Sequence, residues 1–197
     1  QKACNDILAV APNHYEARKL LGNIALLENR PDDAKTHFAA LVKLAPENPE
    51  PHYRLGKIFM RQQDYAAAAD NFDAALARSP SRLDIFSSWI SAVINSGQIK
   101  PALERVDEML NASMQNPARQ AVIFNLKGQL QLSGGKIRDA ETSFKKSLIL
   151  APNYLPPYYA LAHIYLREGR MENAISQYQF ALEQTERREI PHMMLGI

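Results

Sequence analysis

The chain has a single cysteine, Cys4, in 197 residues, so it can build neither a disulfide framework nor a cysteine-rich metal site. Its five histidines, His14, His37, His52, His163 and His192, are scattered, and none forms the His-x3-His pair of a helical zinc site. No run of about 18 apolar residues occurs, which leaves nothing to span a membrane as a helix. The first residues lack a basic-then-apolar signal pattern. Net charge is only +2, far from the footprint of a strong phosphate binder. No strand-like alternation is present. Gly134-Gly135-Lys136 comes nearest to a phosphate loop. It fails because Leu130 stands where a second glycine is needed and Ile137 where Ser or Thr is needed.

What the chain does have is a period. Ala34, Ala68, Ala102, Ala140 and Ala174 are separated by 34, 34, 38 and 34 residues. Self-similarity in this range marks a stacked-repeat protein rather than one closed core. Four residues after each alanine comes Phe38, Phe72, Val106, Phe144 or Tyr178. Eight after comes Val42, Leu76, Leu110, Leu148 or Leu182. Steps of four follow one face of an α-helix, so this face is a buried stripe. Pro46, Pro80 and Pro152 fall twelve residues after the alanine and close the helix.

Small residues precede the alanine at fixed offsets. Gly22, Gly56, Gly128 and Ala162 lie twelve before it, where two helices can approach closely. Asn29, Gln63, Gly97, Gly135 and Gly169 lie five before it, in a slot that suits a tight turn. Two helices per repeat are therefore predicted, each on the order of 12–15 residues. At 46% hydrophobic and 22% charged residues the composition is that of an ordinary soluble chain.

With His52, Leu55, Gly56, Phe59, Ala68, Phe72, Ala75, Leu76 and Pro80 in phase, the second repeat resembles the tetratricopeptide repeat. The fifth resembles it as closely, through Tyr158, Leu161, Ala162, Tyr165, Ala174, Tyr178, Ala181 and Leu182. The resemblance implies an all-α fold, a right-handed α-solenoid (superhelix) of antiparallel helix pairs, acting as a non-enzymatic scaffold for protein–protein interaction. The expected division places repeats at 13–46, 47–80, 81–114, 119–152 and 153–186. Residues 1–12 form the second helix of a truncated repeat, and 187–197 start a further one. Pro191, His192, Leu195 and Gly196 repeat the spacing of Pro51, His52, Leu55 and Gly56. The chain is thus expected to begin and stop inside repeats of a longer protein, with ends able to pair as a homodimer.

Two places depart from the pattern. The 38-residue step needs four extra residues, expected at 115–118 within a polar loop over 111–118. Asn111-Ala112-Ser113 there also fits an N-glycosylation acceptor, though a plain loop explains it as well. Ile90 takes the glycine slot of the third repeat beside Trp89. A compensated core with wider helix spacing is expected, with a tryptophan pocket as the alternative. The fourth repeat is ambiguous. Its glycine register buries Lys127 and Gln131, whereas Ile123, Leu126 and Leu130 make an apolar stripe one residue out of phase.

On the first helix of each repeat three slots stack one turn apart, facing away from the alanine contact. They hold Lys19, Asn23 and Leu27, then Tyr53, Lys57 and Arg61, then Ser87, Ser91 and Asn95. Asn125, Gln129 and Ser133 follow, and then Tyr159, His163 and Arg167. The resemblance implies that these slots line a concave groove for an extended peptide. Tyrosines with basic residues at its outer repeats, and amides and hydroxyls in its middle, point to an acidic peptide or a chain terminus. Lys19 and Asn23 match the first two slots of the family's carboxylate clamp. Arg54, Asp84 and Ser88 do not match the later ones, and Asp84 would repel a carboxylate. Leu20, Arg54 and Ser88 break the asparagine ladder of related glycosyltransferases.

No cofactor is implied, and the 34-residue period differs from the 35 of the nearest helical RNA readers. Alternatives are a substrate-recruiting segment of a larger enzyme or of a bacterial envelope or secretion assembly, and a scaffold that self-assembles through repeat edges. Nothing in the sequence separates a cytoplasmic from a bacterial periplasmic location.

Overall fold

The structure, a computed structural model, describes residues 1–184. The further repeat expected from residue 187 onward lies outside them. The described residues form eleven helices and no strand. These are α1 (Lys2–Val10), α2 (Tyr15–Leu27), α3 (Pro31–Leu44), α4 (Pro49–Arg61), α5 (Tyr65–Arg78), α6 (Leu83–Ser96), α7 (Ile99–Ala112), α8 (Pro117–Ser133), α9 (Ile137–Leu150), α10 (Pro156–Arg167) and α11 (Met171–Glu183). The chain is an all-α helical repeat solenoid. It divides into two compact units, Gln1–Gly97 and a second that begins at Gln98.

The periodic residues are what the helices bury. Ala34, Ala68, Ala140 and Ala174 are completely inaccessible and Ala102 nearly so. An alanine here lets the backbones close in, and the large residue four positions on fills the space beside it. At Gly56 an added Cβ would sit 2.5 Å from the Phe72 ring, and at Gly128 2.5 Å from that of Phe144. At Gly22 the clearance to Phe38 is 3.0 Å. Each glycine is thus the floor on which a phenylalanine ring lies. Where Ile90 takes this slot, the residue sixteen further on is Val106 instead of phenylalanine, and both are fully buried. Trp89 stacks on Phe86 with ring centroids 5.7 Å apart. Only 7% of it is exposed, so it is a core residue.

The turn slot has one conformation throughout. Gly97, Gly135 and Gly169 all have φ near +75°, and Asn29 and Gln63 adopt φ of 55° and 61°. A three-residue turn between paired helices needs this left-handed step, which glycine takes without strain and glutamine does not.

The loop expected over 111–118 is confined to residues 113–116. Helix α7 runs through Ala112 and α8 starts at Pro117. The four extra residues lengthen α8 to 17 residues, against 13 in α4 and 12 in α10. Pro117 presets the helical φ at the first position, and the Asn116 side chain accepts a hydrogen bond from the Arg119 backbone N–H at 2.9 Å. Asn111 lies in the last turn of α7. Ser113 is buried and its hydroxyl oxygen accepts from Arg119 Nε at 2.9 Å.

The fourth repeat keeps the glycine register and buries the rival stripe too. Gly128, Ile123, Leu126 and Leu130 are all buried. Gln131 is buried because the Ser143 hydroxyl donates to its Oε1 at 2.7 Å.

Candidate functional site

The candidate groove residues fall into two groups, one in each compact unit. In the first unit they lie on α2, α4 and α6. Helices α2 and α4 are linked by side-chain hydrogen bonds at corresponding ends. The Asn48 amide, at the start of α4, donates to the Tyr15 hydroxyl at the start of α2 at 2.8 Å. At the far ends, Arg61 donates to Asn29 Oδ1 at 3.5 Å. Helix α6 joins through its capping residue Arg82, which donates to Glu50 Oε2 of α4 at 3.2 Å.

In the first turn of each of these helices stands a carboxylate: Glu16, Glu50 and Asp84, one repeat apart. This position favours negative charge, since the helix N-terminus carries the positive end of the dipole. All three are neutralised locally. Glu16 pairs with Lys19 at 3.1 Å, Glu50 with Arg54 at 2.7 Å, and Asp84 with Arg82. The Arg82 guanidinium holds the Asp84 carboxyl below its ordinary range, and Asp84 with Glu50 keeps Arg82 firmly charged.

Cations dominate further along. The Tyr53 ring lies against Phe72, with centroids 5.8 Å apart. Arg82 sits over it at 5.1 Å and Lys57 at 5.5 Å. Lys57 and Arg61, one helical turn apart on α4, are exposed, and neither has a carboxylate partner among the described residues. They are the open charges of this face. Lys19 and Arg54 are not, because each is held by a carboxylate.

The middle of the face differs from the sequence expectation in one respect. The hydroxyls of Ser87 and Ser88 donate to the Asp84 carbonyl at 3.0 and 2.8 Å, and Ser91 donates to the Ser87 carbonyl at 3.0 Å. The Asn95 amide donates to the Ser91 carbonyl at 2.7 Å. The serine hydroxyl hydrogens are spent on their own helix, so the serines meet a partner chiefly as acceptors, while Asn95 keeps a second amide N–H beside its acceptor oxygen.

In the second unit the candidates lie on α8 and α10. Asn125 requires correction. It is 2% exposed and lies in the interior, its amide 3.4 Å from the Tyr154 hydroxyl. Gln129, His163 and Arg167 are exposed or partly so. Tyr159 is half-buried against Tyr178, with centroids 6.3 Å apart, and burial raises its hydroxyl pKa.

Sequence reasoning passed over Arg82, although it organises Glu50, Tyr53 and Asp84. Its offset of 32 residues from Glu50, just short of one repeat, was the available signal. Among the described residues no cluster of His, Cys, Asp and Glu could hold a metal ion, and no helix is long and apolar enough to cross a membrane.

A repeat solenoid with an open polar face on successive first helices defines a class of interaction scaffolds. The tetratricopeptide repeat profile matches residues 1–49 and 20–82, and a second profile of the same repeat matches 155–186. The chain belongs to the tetratricopeptide repeat family. Proteins of this fold are typically non-catalytic, and the chain is a repeat scaffold for protein interaction.

Cellulose synthase operon protein C of Pseudomonas fluorescens (strain SBW25) is 27% identical over 149 residues. That is 74% of this chain but only 12% of the relative's length. Among solved structures, MamA 41-end from Desulfovibrio magneticus RS-1 superposes with a TM-score of 0.64 at 19% identity, covering 86% of this chain and 94% of that one. A thermophilic TPR protein of Thermus thermophilus gives 0.62 at 25% identity, covering 92% and 97%.

Proposed function

We propose that the chain binds an extended acidic peptide, or the carboxylate of a chain terminus, along the open face of its first helices. The observation that carries this reading is the pair Lys57 and Arg61, stacked one turn apart and exposed without a carboxylate partner, while the cations around them are neutralised. Charges already paired at a surface add little for a ligand, whereas unpaired ones keep their full attraction. Asn23, Ser87, Ser91 and Asn95 flank them with acceptors for the peptide's N–H groups. Tyr53 offers an aromatic wall. In the second unit Tyr159, His163, Arg167 and Gln129 form a corresponding face, without Asn125.

The double substitution Lys57→Glu, Arg61→Glu tests the reading. It should weaken binding of a synthetic Asp-rich peptide by about tenfold or more at low ionic strength, and much less near 1 M salt, where screening acts within about 3 Å. Equal affinity for both proteins at low salt removes the electrostatic claim.

A second reading, a substrate-recruiting segment of a larger enzyme or of a bacterial envelope or secretion assembly, is favoured by the similarity to 12% of the length of Cellulose synthase operon protein C. Flanking sequence that encodes no further domain would count against it.

A further inference from the structure

The open face of the first unit is unevenly built. On α2 it carries two large apolar side chains, Leu20 at 50% exposure and Leu27 at 87%. Seven residues apart, they lie on one stripe of the helix, separated by about 10 Å along its axis. The matching positions one repeat later are Arg54 and Arg61, and those two repeats later are Ser88 and Asn95. An apolar rail therefore stands beside a cationic one. The two helices are tied start to start and end to end, and the Arg61 guanidinium reaches Asn29 in the turn that follows Leu27.

We infer that the first unit selects a segment in which large apolar side chains adjoin acidic ones, the apolar groups covering Leu20 and Leu27 and the carboxylates meeting Lys57 and Arg61. Charge complementarity fixes the occupant. The charges nearest the rail, Glu16 with Lys19, Glu28 with Arg30 and Glu50 with Arg54, are held in ion pairs. Of the groove cations on α2 and α4, Lys57 and Arg61 have no carboxylate partner among the described residues, so a basic apolar segment is repelled and an acidic one is drawn in. Covering a leucine removes it from water and is worth roughly a tenfold gain in affinity or more. Acceptors alone would grip any extended chain. The rail adds a requirement for side-chain type, and thereby specificity.

This inference rests on the acidic-peptide reading above, and the experiment separates the two. Three fluorescent peptides are titrated by anisotropy into the full chain: an Asp-rich one carrying leucines, the same peptide with serines for leucines, and the leucine peptide with asparagines for aspartates. The leucine-aspartate peptide should bind at least about tenfold tighter than either of the others. In the variant Leu20→Ser, Leu27→Ser its advantage over the serine peptide should vanish. Both sites are exposed, and an unchanged thermal melt confirms that this variant folds. Equal binding of leucine and serine peptides by the unaltered chain overturns the inference and leaves the acidic groove standing. A leucine advantage that survives in the variant also overturns it, because the apolar contact is then elsewhere. If no aspartate peptide binds, the groove reading and this inference fall together. If sedimentation without peptide shows a dimer that the same variant abolishes, the rail belongs to a second copy and the inference fails.

Discussion

In the α4–α5 pair Gly56 lies beneath the Phe72 ring, and in the α8–α9 pair Gly128 lies beneath the Phe144 ring at the same 2.5 Å clearance. Beyond that shared contact the two pairs diverge. The slots that hold Phe59 and Asn71 in the first hold Gln131 and Ser143 in the second, joined by a buried hydrogen bond of 2.7 Å. Nearby, the Ser147 hydroxyl donates to the Ala121 carbonyl at 2.6 Å, where the first pair has fully buried Ala75. Among the described residues the five buried polar side chains, Ser113, Asn125, Gln131, Ser143 and Ser147, all belong to the second unit. Buried side-chain atoms that lack a hydrogen-bond partner include ring nitrogens of His37 and His52 in the first unit and Asn125 Oδ1 in the second. The repeat thus fixes the alanine, glycine and aromatic positions and tolerates polar groups between them, at least cost where they are paired.

Substitution of the glycines tests the shared part and should have the largest effect. Gly56→Ala and Gly128→Ala each gain up to about 1 kcal/mol of helix propensity but force a ring to move, and each should lose about 1–2 kcal/mol net. Gly22→Ala, with 3.0 Å of clearance, should be close to neutral. Urea denaturation followed by Trp89 fluorescence reads the first unit, and hydrogen exchange reads the second. Equal costs at all three sites would show that ring clearance does not govern this contact.

The divergent part can be broken next. Ser143→Ala leaves the buried Gln131 amide short of a partner and should cost about 1–2 kcal/mol. Adding Gln131→Leu should recover part of that loss, because both polar groups are then gone. A double variant as unstable as the sum of its single changes would mean that the hydrogen bond contributes nothing of its own.

The turns give a smaller contrast. Gln63→Gly relieves a left-handed glutamine in the first unit and should stabilise by about 1 kcal/mol. Gly135→Ala in the second should destabilise by about the same amount. An added Cβ meets nothing within 4 Å at Gly135, so the effect there is one of backbone alone. Thermal melts of the two variants should shift in opposite directions.

The smallest effect is that of pH. Burial lowers the pKa of both His37 and His52 from the ordinary value of 6.5, helped by the nearby Arg18 and Arg78 cations respectively. Below about pH 6.5 the unfolded histidines take up protons that the folded ones refuse. The first unit therefore loses stability as pH falls through that value, and recovers it on return to neutrality. In the second unit Glu141 has a lowered pKa. Burial opposes the shift, and hydrogen bonds from Lys145 and Tyr165 outweigh it. Its stabilisation is lost only as pH falls below the ordinary glutamate value of 4.5. Trp89 fluorescence should thus register acid weakening in the first unit before hydrogen exchange registers it in the second.

Much of this architecture is legible in the chain. The alanine period, the glycine slot and the left-handed turn slot each reflect local backbone demands that recur at fixed offsets, and each is found buried or turned accordingly. The insertion was not legible as a helical turn, because Asn116-Pro117 opens a helix as readily as it bends a loop. Asn125 reads as a groove residue because its slot is open in the neighbouring repeats. In the structure it is buried, with the Tyr154 hydroxyl 3.4 Å from its amide, a neighbour 29 residues away that spacing along α8 does not announce.

The sequence alone determined the helices and the stripe that each pair buries between its members, because a 3.6-residue turn converts spacing directly into direction. The tertiary structure decided which side chains on that face remain unengaged. Lys19, Arg54 and Arg82 are held by carboxylates, the serine hydroxyls donate to their own helix, and Lys57, Arg61 and Leu27 stay open. The Glu16–Lys19 and Glu50–Arg54 pairs follow helical spacing, but the reach of Arg82 to Glu50 spans 32 residues, and no pattern along one helix contains it.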